Sequence, residues 1–422
     1  MKVLLRGATA LAVLFAVTAA SRGPNDSVPV ATPAGVTLKA AGRGLVFADA
    51  TNRTLYTYAG TAVPNAAEWQ PALAPAKARA SGAWSLLKRD NGTLQWVYRD
   101  KALFTAVADT GREDIRTGAV PLAIKDKAWQ AAAFDPEEGI AVPFGIKVDE
   151  VDGVGGIAFT DATGLPLYTF AGDAERDKTS CTKGACPNHW HPVLAAQMAR
   201  GVGNFSVVAR EDGVVQWAHK GKPLYTFDGD TEPGDAAGSS VDKRWNVVMV
   251  YKFFMPARVT VRRNHFDGYN LATDKGMTLY QRDRFRSVNG GHSLRGGSRG
   301  SVEIAHLLGT SACTGACLRD WPPLLAGASD QPSGLWTIMT REDGTRQWAY
   351  RSYPVYAFSG DKAPGDMNGN DRYEMTGRYV GGKDPFLDAE RPRYVPTSST
   401  DQAKGRLPVM GAPALFWHAV AP

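Results

Sequence analysis

The chain has 422 residues, 44% of them hydrophobic and 21% charged, with 48 Lys and Arg against 42 Asp and Glu. That length exceeds one minimal core, and the balance is that of a globular protein, neither disordered nor collagen-like. A formal net charge of +6, spread along the chain, is too diffuse for a nucleic-acid footprint, so no nucleic-acid partner is expected.

Residues 1–20 read as a secretory signal: Lys2 and Arg6, an apolar run from Ala8 to Val17, then the small residues Thr18, Ala19 and Ala20. The run is short for a bilayer span, and no later stretch approaches the required length. The mature chain is therefore expected to carry no transmembrane segment and to work in the periplasm or outside the cell. No Cys follows the run, which removes the usual lipid attachment point. Residues 21–32 read as a linker.

The rest says one thing three times. Prolines 33, 143 and 256 each precede an alternating apolar pattern (Val36 and Leu38, Ile146 and Val148, Val259 and Val261). Strand-turn-strand phrases then begin at Leu45, Ile157 and Tyr269. A second phrase runs from Trp84 to Phe104, from Phe205 to Phe227 and from Trp336 to Phe358. The repeat divides the chain into unit 1 (33–137), unit 2 (143–252) and unit 3 (256–420), each of about 110 residues before insertions at 282–309 and 378–411 in unit 3.

Within the phrases, Leu167-Tyr168-Thr169-Phe170 and Leu224-Tyr225-Thr226-Phe227 alternate with period two in β-branched and aromatic residues, a strand signal. Asn91-Gly92, Asp212-Gly213 and Asp343-Gly344 mark tight hairpin turns, and Gly221 marks the next turn of the same meander. Each unit closes on a strand begun by Trp129, Trp245 or Trp417. Helical periodicity is scarce; Val193 to Met198 is the one stretch read as a short turn or helix. The expected fold is all-β: three tandem β-meander repeats forming sandwich-like or barrel-like units. The alternative is one six-bladed propeller-like assembly.

Cys181, Cys186, Cys313 and Cys317 form two close pairs, and an even count in an exported chain reads as disulfides, with three connectivities open. Cys181, Cys186, His189 and His191 also lie within 11 residues, a donor set that suits zinc or copper. Thiolates bound to metal and a disulfide exclude each other. The acidic loop of unit 3, with Asp361, Asp366, Asn368, Asn370 and Asp371, offers oxygen ligands for calcium. The same residues suit turns in which Asx side chains bond their own backbone. Asp228, Asp230, Asp235 and Asp242 occupy the matching loop of unit 2. Gly296-Gly297-Ser298-Arg299-Gly300 matches a nucleophile-elbow string, but it lies in a Gly/Arg/Ser-rich insertion with no strand-to-helix context. The insertion also carries Arg282, Arg284, Arg286, Arg295 and Arg299, a basic loop that could dock an acidic partner.

The phrases Tyr168-Thr169-Phe170-Ala171-Gly172-Asp173, Tyr225-Thr226-Phe227-Asp228-Gly229-Asp230 and Tyr356-Ala357-Phe358-Ser359-Gly360-Asp361 resemble a known family. So do Cys313-Thr314-Gly315-Ala316-Cys317 with Trp321-Pro322-Pro323-Leu324, and Gln347-Trp348-Ala349-Tyr350. The family is that of secreted repeats of unknown function, predicted lipoproteins with a Tyr-x-aromatic-x-x-Asp motif. Unit 1 departs from it, since Tyr56-Thr57-Tyr58 lacks both the Asp and the cysteines, and Gln281-Arg282-Asp283 follows Tyr280. The resemblance implies an envelope location and a repeat fold, and no activity. The expected function is an exported, non-enzymatic envelope protein, a binding or structural scaffold for an envelope protein or a glycan. No cofactor is expected apart from calcium. The alternative is a periplasmic metal or redox carrier built on Cys181, Cys186, His189 and His191.

Overall fold

The computed structural model describes residues 28–422 except 42–43, 62–63, 110, 112–127, 174–177, 181–188, 265–267, 286–312, 314, 316, 352, 371, 375–376, 381–382, 385–388, 391–392 and 397–413. The chain is all-β: small antiparallel sheets recur in three tandem units, and none closes into a barrel. Among the described residues the α-helices are two short pieces, Gly238–Val241 and Cys317–Asp320. Val193 to Met198 is no helix. Leu194 bridges to Gln216 and Ala199 turns back to Ala196, so cross-strand pairing wins over local winding.

Unit 2 shows the plan. The hairpin Ile146–Val151 and Gly156–Asp161 is joined by the last strand, Met249–Lys252, so the start and end of the unit share one sheet. A central sheet has the order Trp190–Pro192, Tyr225–Phe227, Tyr168–Phe170, Trp245–Val247. A third sheet is the meander Phe205–Ala209, Val215–His219 and Lys222–Pro223. Unit 1 repeats this with Val36–Ala41, Gly44–Asp49 and Ala133–Phe134 in its first sheet. In unit 3, Val259–Arg263 pairs with Tyr269–Thr273, and the returning end is Val420, bonded to Leu271.

Turn chemistry follows the sequence with one difference. In Asn91-Gly92, Asp212-Gly213 and Asp343-Gly344 only the glycines take positive φ (81°, 78° and 79°). The loop is one residue longer than a two-residue turn: Arg89 pairs with Thr93 across it, while the Asn91 carboxamide oxygen accepts the Thr93 N–H at 3.1 Å. The preceding Asx residue acts through its side chain and not through its φ. The two-residue turns lie one strand later, at Arg99-Asp100 (φ 47° and 63°) and Lys220-Gly221 (φ 50° and 79°).

A buried polar clamp fixes each meander. Gln95, Gln216 and Gln347 are fully buried and donate to the carbonyls of Leu103, Leu224 and Val355 at 2.8, 2.7 and 2.9 Å. Each amide oxygen accepts a guanidinium N–H, from Arg89 at 2.9 Å, from Arg210 at 2.8 Å and from Arg341. Burying an amide is tolerable only when its hydrogen bonds are made, which is why Gln-Trp recurs in all three copies.

The units share one hydrophobic core. Phe47, Trp84 and Trp96 from unit 1, Phe159 and Trp217 from unit 2, and Trp336 and Trp348 from unit 3 belong to one cluster. Unit 1 touches unit 3 through Gly334, which bonds Val36 and Leu38. Unit 2 touches unit 3 where the Tyr269 hydroxyl accepts the Ala236 N–H at 3.0 Å. Residues 30–32, in the linker of the sequence reading, run between units: Ala31 bonds Lys252, its carbonyl accepts Trp84 Nε1 at 3.0 Å, and Thr32 meets Ser333 at 3.1 Å.

The clamp gives a measurable expectation. Gln216→Leu removes one acceptor from the Arg210 guanidinium and one of the two donors to the Leu224 carbonyl, which keeps the Val193 N–H, so urea unfolding should show a stability loss of about 2 kcal/mol with an unchanged m-value.

Candidate functional site

The family-like phrase, Tyr-x-aromatic-x-Gly-Asp, sits in the central sheet, and each of its positions has a physical role. In unit 2, Trp190 and Trp245 lie face to face, ring centroids 3.6 Å apart and planes 4° off parallel. Phe227 covers the outer face of Trp190 at 4.6 Å, and Phe170 that of Trp245 at 4.5 Å, making a pile of four rings. Tyr168 meets Trp190 edge-on at 5.0 Å, and Tyr225 meets Trp245 edge-on at 5.2 Å. Aromatic quadrupoles favour edge-to-face contacts, so the two tyrosines lock the pile from the side. The Arg244 guanidinium lies over the Phe170 ring at 5.3 Å.

The indole pair recurs with a covering ring in each of the other units: Trp69 and Trp129 stack at 3.5 Å beside Tyr58, and Trp321 and Trp417 at 3.7 Å beside Phe358. Gly172, Gly229 and Gly360 lie directly under Phe170, Phe227 and Phe358, where an added Cβ would fall 2.2, 2.4 and 2.2 Å from ring atoms. The motif glycine is required by that close approach.

The motif tyrosine and aspartate do not pair within one phrase. They cross. The Tyr168 hydroxyl donates to Asp230 at 2.7 Å, and the Tyr225 hydroxyl to Asp173 at 2.9 Å. In unit 3 Tyr280 donates to Asp361 at 2.7 Å. Burial, reinforced by the adjacent carboxylate, pushes the Tyr168 hydroxyl far above its usual range, and burial pushes Tyr225 and Tyr280 the same way. Burial also raises Asp230 and Asp361, against the lowering effect of the donated hydroxyl. The raised hydroxyls remain donors, and the acceptor role of Asp230 and Asp361 is set by the backbone N–H groups of Ala237 and Asn368 that also point at them.

The oxygen-rich loop of unit 3 is held by its own backbone. Asp361 accepts the Asn368 N–H at 2.9 Å as well as the Tyr280 hydroxyl. Asp366 accepts the N–H groups of Lys362 and Ala363 at 2.7 and 2.9 Å, which hold its carboxyl below the usual range. Asn370 accepts the Ala419 N–H at 2.9 Å. The unit 2 loop repeats this, with Asp235 accepting from Thr231 and Glu232. Asp371 lies outside the described residues.

Cys313 and Cys317 are bridged, with Cα atoms 5.4 Å apart, and both pack in the cluster of Trp321 and Trp417. The Cys313 carbonyl also accepts Arg341 Nη2 at 3.0 Å, linking the bridge to the Gln347 clamp. Cys181 and Cys186 lie outside the described residues, as do Arg286, Arg295, Ser298 and Arg299; Arg282 and Arg284 lie in the strand Tyr280–Phe285. His189 and His191 are exposed and face Asp228, 37 residues or more away in the chain, 3.6 Å from His189 Nδ1 and 2.6 Å from His191 Nε2. The register signal was in the sequence, since Trp190 and Phe227 are both inward-facing, but the pairing of those two strands was not.

A model of the secreted repeat of unknown function matches residues 151–194, 206–249 and 337–373. The chain carries that secreted repeat three times. No curated protein and no solved structure matches it significantly. Two of the matches fall inside unit 2, so a secreted repeat is half a unit. The first contributes Tyr168, Asp173 and Trp190, and the second Tyr225, Asp230 and Trp245. The crossed hydrogen bonds and the stacked indoles therefore join one secreted repeat to the next.

One buried titratable group stands apart. His219 lies between Phe159 and Phe205, 4.9 Å from each ring, where unit 1 has Tyr98 and unit 3 has Tyr350. Burial, with Lys220 nearby, pushes it down to about 4. An imidazole depressed in the fold is neutral there, so stability is complete above the unfolded value of about 6.5 and is lost as pH falls toward 4. The full loss is on the order of 3 kcal/mol, each tenfold in proton affinity being worth about 1.4 kcal/mol. His219→Tyr should flatten the fall in denaturation midpoint between pH 6.5 and 4; an unaltered profile would exclude this origin.

Proposed function

We propose that the chain is an exported, non-enzymatic scaffold of the cell envelope, in which repeat pairs form a fixed frame and outward loops meet a partner, an envelope protein or a glycan. The description of the matched family as secreted supports export, through the signal-like residues 1–20. One observation carries the scaffold reading. The polar side chains that recur between copies, the motif Tyr and Asp and the clamp Gln, are buried, the clamp arginines are buried or half-buried, and all are bonded to one another or to backbone. Such groups serve the frame, which leaves recognition to what differs between units on the outside.

Unit 2 offers such differences. Phe144 is fully exposed at the tip of the turn entering the unit, where units 1 and 3 have Ala34 and Ala257, and Met198 is 87% exposed. Photo-cross-linkers placed at Phe144 and Met198 in producing cells should give a discrete higher-mass adduct. Adducts at neither position, alongside monomer of normal stability, would remove the partner from both positions.

The same reading makes the acidic loops structural elements in their own right. Their turns are closed by backbone N–H donors, so melting curves in millimolar calcium and in EGTA should coincide. A rise in melting temperature with calcium that Asp366→Ala abolishes would instead establish an ion site.

A further inference from the structure

Residues His189, His191 and Asp228 meet on the outer face of the central sheet of unit 2, and the frame beneath explains how. Trp190 pairs with Phe227 and His191 with Thr226 in the antiparallel register, and both Trp190 and Phe227 point into the ring pile. Side chains alternate along a strand, so His189, His191 and Asp228 all point away from the pile. The Asp228 N–H donates to the His189 carbonyl at 3.0 Å, which places the carboxylate directly across from the two imidazoles. One carboxylate oxygen stands 2.6 Å from His191 Nε2, the other 3.6 Å from His189 Nδ1. The equivalent positions hold Glu68, Gln70 and Val107 in unit 1 and Asp320, Pro322 and Ser359 in unit 3. The trio is thus particular to unit 2, on a frame otherwise shared.

We propose that His189, His191 and Asp228 form a binding site for a divalent transition-metal ion. Two imidazole nitrogens and one carboxylate oxygen are a donor set that zinc, copper and nickel accept, with remaining positions open to water or an incoming ligand. The ion takes the place of the hydrogen bond between His191 Nε2 and Asp228. Among the described residues no three such side chains already stand at ligand spacing: donors about 2.0–2.2 Å from a tetrahedral ion stand roughly 3.3 Å from one another. The 3.6 Å His189–Asp228 separation needs little change, and the 2.6 Å His191–Asp228 pair must open, by rotation of exposed side chains over a strand held by the Trp190 stack. The site requires no thiolate, so it is compatible with oxidised cysteines.

The test is calorimetric titration of zinc into the full-length oxidised protein after chelator treatment and desalting. One-to-one binding is expected, and it should be lost in His191→Ala and in Asp228→Ala, with melting temperatures unchanged because all three side chains are exposed. With copper as the probe, electron paramagnetic resonance should show coupling to two imidazole nitrogens, reduced to one in His189→Ala. Absence of stoichiometric binding, or binding that survives His191→Ala, would overturn the proposal.

Discussion

Two indoles stacked across a four-stranded sheet are the constraint from which the rest of each unit follows. In unit 2 they start from the two edge strands, three strand spacings apart, which is about 14 Å before the sheet coils. Only the longest flat side chains reach the middle from both sides, and a phenylalanine at either edge would fall short. Their meeting at 3.6 Å leaves two outer faces and two flanks to cover. Phe227 and Phe170 take the faces, and Tyr168 and Tyr225 take the flanks. Once the rings are placed, glycine is forced at 172 and 229, since no side chain fits under the phenylalanines.

Placing tyrosines edge-on against the pile carries their hydroxyls into the interior, where an unbonded hydroxyl is costly. The carboxylate that answers each one comes from the other secreted repeat, because the aspartate follows its own phrase on the side facing the neighbour. A single repeat would therefore bury a hydroxyl without an acceptor and an indole without its partner. In unit 1 the two groups of one crossed pair are lost together. Phe104 stands opposite Tyr56, where unit 2 has Tyr225 opposite Tyr168, and Thr61 stands where unit 2 has Asp173. The hydroxyl and the carboxylate that would accept it are both gone. The remaining Asp109 accepts the backbone N–H groups of Thr54 and Gly111 at 2.7 and 2.8 Å.

Much of this frame is legible in the chain because period-two patterns and turn residues act locally. The three units, the closing strands at Trp129, Trp245 and Trp417, and the turn at Gly221 follow from short windows of sequence. What connects distant segments does not. Nothing local tells that Tyr168 bonds Asp230 and not Asp173, five residues away, since the choice is made by strand order in the central sheet. The Gln-Trp pairs were visible as repeats, but the role of Gln216 depends on Arg210 and Leu224 arriving from the two strands beside it. The acidic loops show the same limit. Alternating oxygen ligands suit an ion site or an Asx turn equally in the sequence, and only the fold shows that Asp366 and Asp235 each accept two backbone N–H groups. The convergence of Asp228 on His189 and His191 needed the same missing information, the pairing of two strands separated by a whole meander.

The alternation that builds the pile also separates frame from function. In the strand Trp190–Pro192 a change at Trp190 would break the stack, while the positions on either side of it face outward and touch the pile at most at its edge, as His189 does at Phe227. Substitutions can accumulate on that outer face without disturbing the fold, and the three units have used the freedom differently: Glu68 and Gln70, His189 and His191, Asp320 and Pro322. A triplicated frame with one shared core tolerates this well, because each unit is supported by the others through Gly334, Tyr269 and the segment at Ala31. Recognition can then diverge in one unit while the other two maintain the fold, which is the physical reason to look for specificity in residues that fail to repeat.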